Sequence, residues 1–170
     1  MGKAGSILGI IALILGATAI GLQGFNYLII NPRQKEQTWY AHEPDYYRCN
    51  PDNTFIPFND LNITFEIKPG QSAYFLYNGW SHLDLDYDGF SILEIYYSID
   101  GIRIDTPYFR ERLWYKYSEI GGTSILKCAS LQYLNSSLSA GTHNVSIILY
   151  ANFDFNGVRE STLMVRTFYP

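Results

Sequence analysis

The chain has 170 residues, 47% of them hydrophobic and 16% charged, which is one domain's worth of sequence and not the composition of a disordered or low-complexity polymer. Sixteen acidic residues against 12 Lys+Arg leave a net charge of -4 without a basic block, which excludes nucleic acid as the main partner. Two cysteines are too few for a disulfide-framework miniprotein or a four-cysteine zinc module.

Residues 4–32 carry no Asp, Glu, Lys or Arg, and the stretch lacks the polar stripe that a water-soluble helix needs. At about 1.5 Å per residue, roughly 20 apolar residues cross a bilayer core of about 30 Å, so residues 1–30 are expected to form a transmembrane signal-anchor helix. Gln23, Asn26 and Tyr27 then fall at the outer interface. A cleaved signal peptide is an alternative, with Lys3 as its basic region and Ala17-Thr18-Ala19 as its cleavage site. The short basic leader around Lys3-Ala4-Gly5 before a bare apolar helix also resembles archaeal type IV pilins and archaellins. That resemblance implies a polymerising filament subunit whose helix leaves the membrane and packs in a filament core. Gly5, Gly9, Ala12, Gly16 and Ala19 recur at spacings of 4, 3, 4 and 3, which lines small residues along one helix-packing seam.

Residues 31–53 are polar and turn-rich, with prolines at 32, 44 and 51, and are expected as a stalk, part of which lies on the domain beyond because of Trp39, Tyr40, Tyr46 and Tyr47. Glycosylation sequons begin at Asn62, Asn135 and Asn144, which places the C-terminal part outside the cell.

From residue 54 the hydrophobic period is two. Leu61, Ile63, Phe65 and Ile67 alternate with Asn62, Thr64 and Glu66, the pattern of a half-buried strand. Lys68-Pro69-Gly70-Gln71 turns the chain, and Asn78-Gly79 and Asp100-Gly101 read as two-residue hairpin turns. Further strands are expected over residues 72–77, 80–87, 91–99, 102–105, 108–117, 123–134, 142–152 and 162–168. Nine or ten short strands without an amphipathic helix predict an all-β, antiparallel, jelly-roll-like β-sandwich over residues 54–170. The run Leu138-Ser139-Ala140-Gly141-Thr142-His143-Asn144-Val145-Ser146, followed by Ser161-Thr162-Leu163-Met164-Val165, resembles the end of jelly-roll domains such as C1q/TNF-like modules and phage fibre heads. The C1q/TNF resemblance implies that a homo-oligomer can form.

Cys49 and Cys128 form an even pair which, outside the cytosol, is expected to be a disulfide joining the end of the stalk to a mid-domain strand. Asp84, Asp86 and Asp88 before Gly89 match the opening of a calcium loop. Counting from Asp84, Glu94 falls at position 11 where an EF-hand needs 12, and helices do not flank it, so what remains is a candidate non-helical Ca²⁺ site. In a strand over residues 108–117, Tyr108, Arg110, Arg112, Trp114 and Lys116 share one face. A cationic, aromatic face of that kind suits sugar stacking, anionic glycans or an acidic protein partner, and equally suits an edge strand that blocks edge-to-edge pairing.

None of the usual catalytic motifs is present, neither G-x-S-x-G nor H-E-x-x-H, a Walker loop or a dinucleotide fingerprint. His42, His82 and His143 read as polar strand or stalk residues. The expectation is a non-catalytic, membrane-anchored, extracellular module for adhesion, ligand binding or envelope structure, with a pilin-like subunit or a viral surface protein as the alternatives.

Overall fold

A computed structural model describes residues 36–49, 54–85, 89–115, 123–153 and 155–170. The expected membrane helix, with its packing seam, lies outside the described residues. Among those described, no helix is long and apolar enough to cross a membrane.

Among the described residues nine strands follow in order: β1 (Gln37–Glu43), β2 (Tyr47–Arg48), β3 (Phe55–Ile67), β4 (Ser72–Leu85), β5 (Gly89–Ile99), β6 (Ile102–Tyr115), β7 (Thr123–Asn135), β8 (Gly141–Ala151) and β9 (Gly157–Phe168). They form two sheets. One runs β1-β9-β4-β7, with β2 also paired to β9, and the other runs β3-β8-β5-β6. Every pairing is antiparallel. Without the short β2, the first, last, third and sixth strands share one sheet and the second, seventh, fourth and fifth share the other, which is the jelly-roll order.

The period-two pattern explains the layers. In β3, Leu61, Ile63, Phe65 and Ile67 are buried while Asn62, Thr64 and Glu66 are exposed. In β8, Val145, Ile147 and Leu149 point inward. Between the sheets Phe65 meets Phe75 edge-on at 5.6 Å, and Phe75 lies 5.9 Å from Tyr97, in a core that also holds Phe58, Leu93, Ile95 and Val165. Tyr97 donates its buried hydroxyl to the Leu131 carbonyl at 2.7 Å, which satisfies a polar atom that burial would otherwise penalise.

Two expectations need correction, and the described part of residues 31–53 lies on the sandwich. Trp39 and Ala41 pack against the core while Tyr40 and His42 face out, and β1 and β2 both hydrogen-bond to β9. Asn78-Gly79 is not a turn, because β4 runs straight through it. A Cβ on Gly79 would meet the Tyr77 hydroxyl at 2.6 Å and Ser161 Oγ at 2.8 Å, so this glycine serves a close approach at a bulge. Finally, Cys49 and Cys128 are not bonded. Cys49 lies in the core, where burial pushes its thiol up to about 12. Cys128 is exposed and alternates with the buried Ala129, so its side chain leaves the far side of the sheet.

The Asp100-Gly101 turn matches expectation, with φ of 52° and 78° at the two positions as a type I′ hairpin requires. Its carboxylate also ties β8 down. Asp100 Oδ1 accepts from the Asn144 N–H at 2.8 Å, and Oδ2 lies 2.7 Å from His143 Nδ1. His143 is 8% exposed, and its Nε2 lies 2.8 Å from the Ser139 carbonyl oxygen. Both ring nitrogens thus face acceptors, an arrangement that only the doubly protonated imidazolium satisfies.

Burial opposes that charge, but the bonds to Asp100 and Ser139 and the Asp100 charge outweigh it, so the His143 pKa is raised above its ordinary 6.5. The bond from the Asn144 N–H, and then the one from His143, lower that of Asp100 below 3.8. Besides Asp100 and the Ser139 carbonyl, the Phe65 ring faces His143, at 5.7 Å. A raised histidine pKa contributes stability that is complete below its unfolded value and is lost as pH rises through the folded one. A lowered carboxylate pKa contributes stability that is lost as pH falls through its folded value. Urea midpoints should therefore be higher at pH 5.5 than at pH 8.5. His143→Gln should remove most of that difference, and an unchanged difference would mean that other groups cause it.

Candidate ligand face

The outer positions of β3, β8, β5 and β6 line up in rows across the sheet. One row is Phe55, Tyr150, Glu94 and Arg110, the next is Pro57, Ile148, Tyr96 and Tyr108, and a third is Asn62, Ser146, Ser98 and Arg103. The inward alternates on β5 are Leu93, Ile95 and Tyr97, all in the core. Tyr108, Arg110 and Arg112 thus share the exposed face that their spacing predicts, with Phe109 and Leu113 turned inward against the core. The side chain of Trp114, and Lys116, lie outside the described residues.

Two arginines on this face, Arg103 and Arg110, hold carboxylates. Arg110 Nε bonds Glu94 Oε1 at 2.8 Å, and the same carboxylate accepts from the Tyr96 hydroxyl at 2.6 Å through Oε2. Burial, and then the bond to Glu94, push the Tyr96 phenol above its ordinary range, so it stays a donor. Arg103 Nε bonds Asp105 at 2.7 Å, and its guanidinium lies 3.9 Å over the Phe55 ring and 5.2 Å from that of Tyr96. Arg112 stands 5.4 Å over Phe90. Tyr108 stacks against Tyr96 with centroids 5.2 Å apart and planes 11° apart. Phe55, at 43%, and Tyr108, at 44%, remain open to solvent. Two exposed rings therefore flank a set of planar, mutually neutralised donors and acceptors.

Glu94, the centre of this set, enters the sequence analysis only as the misplaced position 11 of a calcium loop. Its role depends on the β5–β6 register, which places it opposite Arg110. The alternation of Glu94 with the inward Leu93 and Ile95 was the available signal.

The remaining candidates are scattered. Asp84 lies on β4, where its backbone N–H donates to Asn156 Oδ1 at 2.9 Å. Asp86 and Asp88 lie outside the described residues, and among those described no group of three His, Cys, Asp or Glu could hold a metal ion. The sequon asparagines Asn62 and Asn144 meet on the outer face through a 2.6 Å side-chain bond, and Asn135 closes a local turn with Ser137. His82 Nδ1 lies 3.2 Å from the Phe155 carbonyl oxygen, and His42 stacks on Tyr40.

No family model and no curated protein matches the chain. Among solved structures it is similar to the CBM36-1 domain of a multidomain xylanase from the hindgut metagenome of Trinervitermes trinervoides (12% identity, 77% of this chain and 96% of that one, TM-score 0.40). It is also similar to infectious bursal disease virus, Gt strain (12% identity, 79% of this chain and 33% of that one, TM-score 0.41). A third likeness is to dimeric latent PorU from Porphyromonas gingivalis (14% identity, 79% of this chain and 13% of that one, TM-score 0.39). The chain thus spans a third or less of the viral and PorU chains. The fold follows from the strand order above and stands without them.

Proposed function

We propose that this chain is a non-catalytic binding module, displayed outside the cell by a membrane anchor in residues 1–30, and that the outer face of the β3-β8-β5-β6 sheet takes a neutral saccharide. The observation that carries the reading is the charge balance around two exposed rings. Arg110 is matched by Glu94 and Arg103 by Asp105, so an anion would have to compete with a carboxylate already in place. A neutral polyhydroxylated ring has the complementary parts: an apolar face for Tyr108 or Phe55, and hydroxyls that both donate and accept.

Titration of the full chain with panels of neutral and uronate-containing oligosaccharides tests this. Binding is expected for a neutral member. Tyr108→Ala should weaken it about tenfold or more, with the fold kept, because the ring is 44% exposed and lies outside the core. Failure of every neutral oligosaccharide to bind, or indifference to Tyr108→Ala, would overturn the assignment. The anchored topology has its own test: protease added to intact cells should remove the β-sandwich.

A further inference from the structure

On the proposed saccharide face, Arg110 and Arg103 are held very differently. Arg110 is pinned. Its Nε bonds Glu94 at 2.8 Å, and Glu94, with its side chain 12% exposed, is itself fixed by the Tyr96 hydroxyl at 2.6 Å. Arg103 bonds Asp105 at 2.7 Å, but Asp105 is two residues along the same strand and its side chain is 71% exposed. An ion pair in water contributes little, and one between near neighbours ties the side chain to nothing beyond its own strand.

The second hold on Arg103 is aromatic. Arg103 starts on β6, in the row of Ser98, Ser146 and Asn62, and β6 and β3 are the two edges of this sheet. Its guanidinium nevertheless lies 3.9 Å from the ring centroid of Phe55, on β3, and 5.2 Å from that of Tyr96. Strand side chains ordinarily stand off the sheet, whereas this one lies across it and covers a face of Phe55. Tyr150, tilted at 5.1 Å, and Tyr96, edge-on at 5.6 Å, also flank the Phe55 ring. Tyr108 differs: Tyr96 stacks on one side of it at 5.2 Å, and it is 44% exposed. Because Phe55 and Tyr108 both neighbour Tyr96, their centroids lie at most the sum of those two distances apart, about 11 Å.

We infer that Arg103 is a strap over a second sugar-stacking subsite. Tyr108 is the open platform and Phe55 the covered one. An oligosaccharide long enough to span both displaces the guanidinium, and a monosaccharide does not. The inference rests on the saccharide reading above and adds to it which ring is reached first and which side chain sets the preferred length. A guanidinium and a sugar ring exclude one another on the same aromatic face, since each needs contact at about 4 Å. The exposed cation–π contact is weak, and a stacked sugar ring brings more apolar surface to the same place.

The test titrates the full chain with homologous gluco-, manno- and galacto-oligosaccharides, from monosaccharide to hexasaccharide. For a series that binds, affinity should rise with length until both rings are covered and then level off. Arg103→Ala should bind the hexasaccharide about three- to tenfold tighter, a gain that shrinks toward the monosaccharide. In a Phe55→Ala background that gain should vanish. In the wild-type protein, the Arg103 side-chain NMR signals, moved upfield by the Phe55 ring, should return toward ordinary positions when the hexasaccharide is added. This last measurement needs no variant. Weaker binding by Arg103→Ala would overturn the inference, because the guanidinium would then be bonding the sugar in place. So would a gain equal at every length, a gain that survives Phe55→Ala, or Arg103 signals that stay put with the hexasaccharide bound. If no member of any series binds, the saccharide reading falls and the strap with it, a result seen before any variant is made.

Discussion

Asn156→Ala is expected to remove about 3–5 kcal/mol of folding stability, because one buried amide joins the two sheets. Asn156 is fully buried in the turn before β9. Its Oδ1 accepts from the backbone N–H of Asp84 at 2.9 Å and from the Ser91 hydroxyl at 2.8 Å, and its Nδ2 donates to the Ile92 carbonyl at 2.9 Å. Asp84 belongs to one sheet, Ser91 and Ile92 to the other. Alanine would leave the Asp84 N–H and the Ser91 hydroxyl without the Asn156 acceptor, and the Ile92 carbonyl with only the longer bond from the Asn152 N–H at 3.4 Å; each buried orphan costs about 1–3 kcal/mol. Urea unfolding at fixed pH measures the loss. Asn156→Asp keeps both acceptor contacts and loses the donor, so it should also destabilise. A loss below about 1 kcal/mol for alanine would mean that the three groups find other partners.

Gly157→Ala is expected to cost about 2–3 kcal/mol for a different reason. The added Cβ would lie 2.2 Å from the Tyr47 carbonyl oxygen and 2.9 Å from the Tyr46 ring. The first of these is backbone and cannot swing away, so β2 has to leave β9 at the Arg48–Gly157 pair. That movement would also disturb the stack of Tyr47 on Phe58, now 4.3 Å between centroids, and the adjoining Cys49 N–H bond to the Asn156 carbonyl at 2.8 Å. Thermal melting should show the loss, and the buried Cys49 thiol should become more accessible to an alkylating reagent. A melting temperature within 1–2 °C of wild type would show that the strand shifts cheaply, since a loss of 1 kcal/mol moves Tm by about 2–8 °C.

These two residues mark the limit of what the sequence makes legible. Alternation reveals strands where one face is buried and the other solvated, and it places β3, β5, β7, β8 and β9 close to where they lie. It also places Tyr108, Arg110 and Arg112 on one face, because three outward side chains at i, i+2 and i+4 need only local geometry. Partners across the sheet are another matter. That Glu94 meets Arg110 depends on a register that no local pattern encodes. Asn156-Gly157 reads as an ordinary loop dipeptide, although the first residue bridges two sheets and the second makes room for a strand. Asn78-Gly79 has the composition of a hairpin, and the packing of Tyr77 and Ser161 against Gly79 overrides it. The β1 pattern, Trp39 and Ala41 in, Tyr40 and His42 out, has period two, but its polar and aromatic residues carry too little hydrophobic contrast to stand out between prolines.

The edge position of β1 has a mechanical consequence. Its seven residues pair with β9, with Gln37 opposite Thr167 and Glu43 opposite Ser161. Tension entering at Gln37 and resisted on the opposite sheet would pull β1 along its own axis, loading its rungs to β9 together, in shear. Tension applied between Gln37 and Phe168 would act at neighbouring points and peel the same rungs one after another. The sandwich should therefore hold longer under load when pulled from its N-terminal side against a bound ligand than when pulled between its two ends, with the rate of forced unfolding set by the direction of pull and not by equilibrium stability.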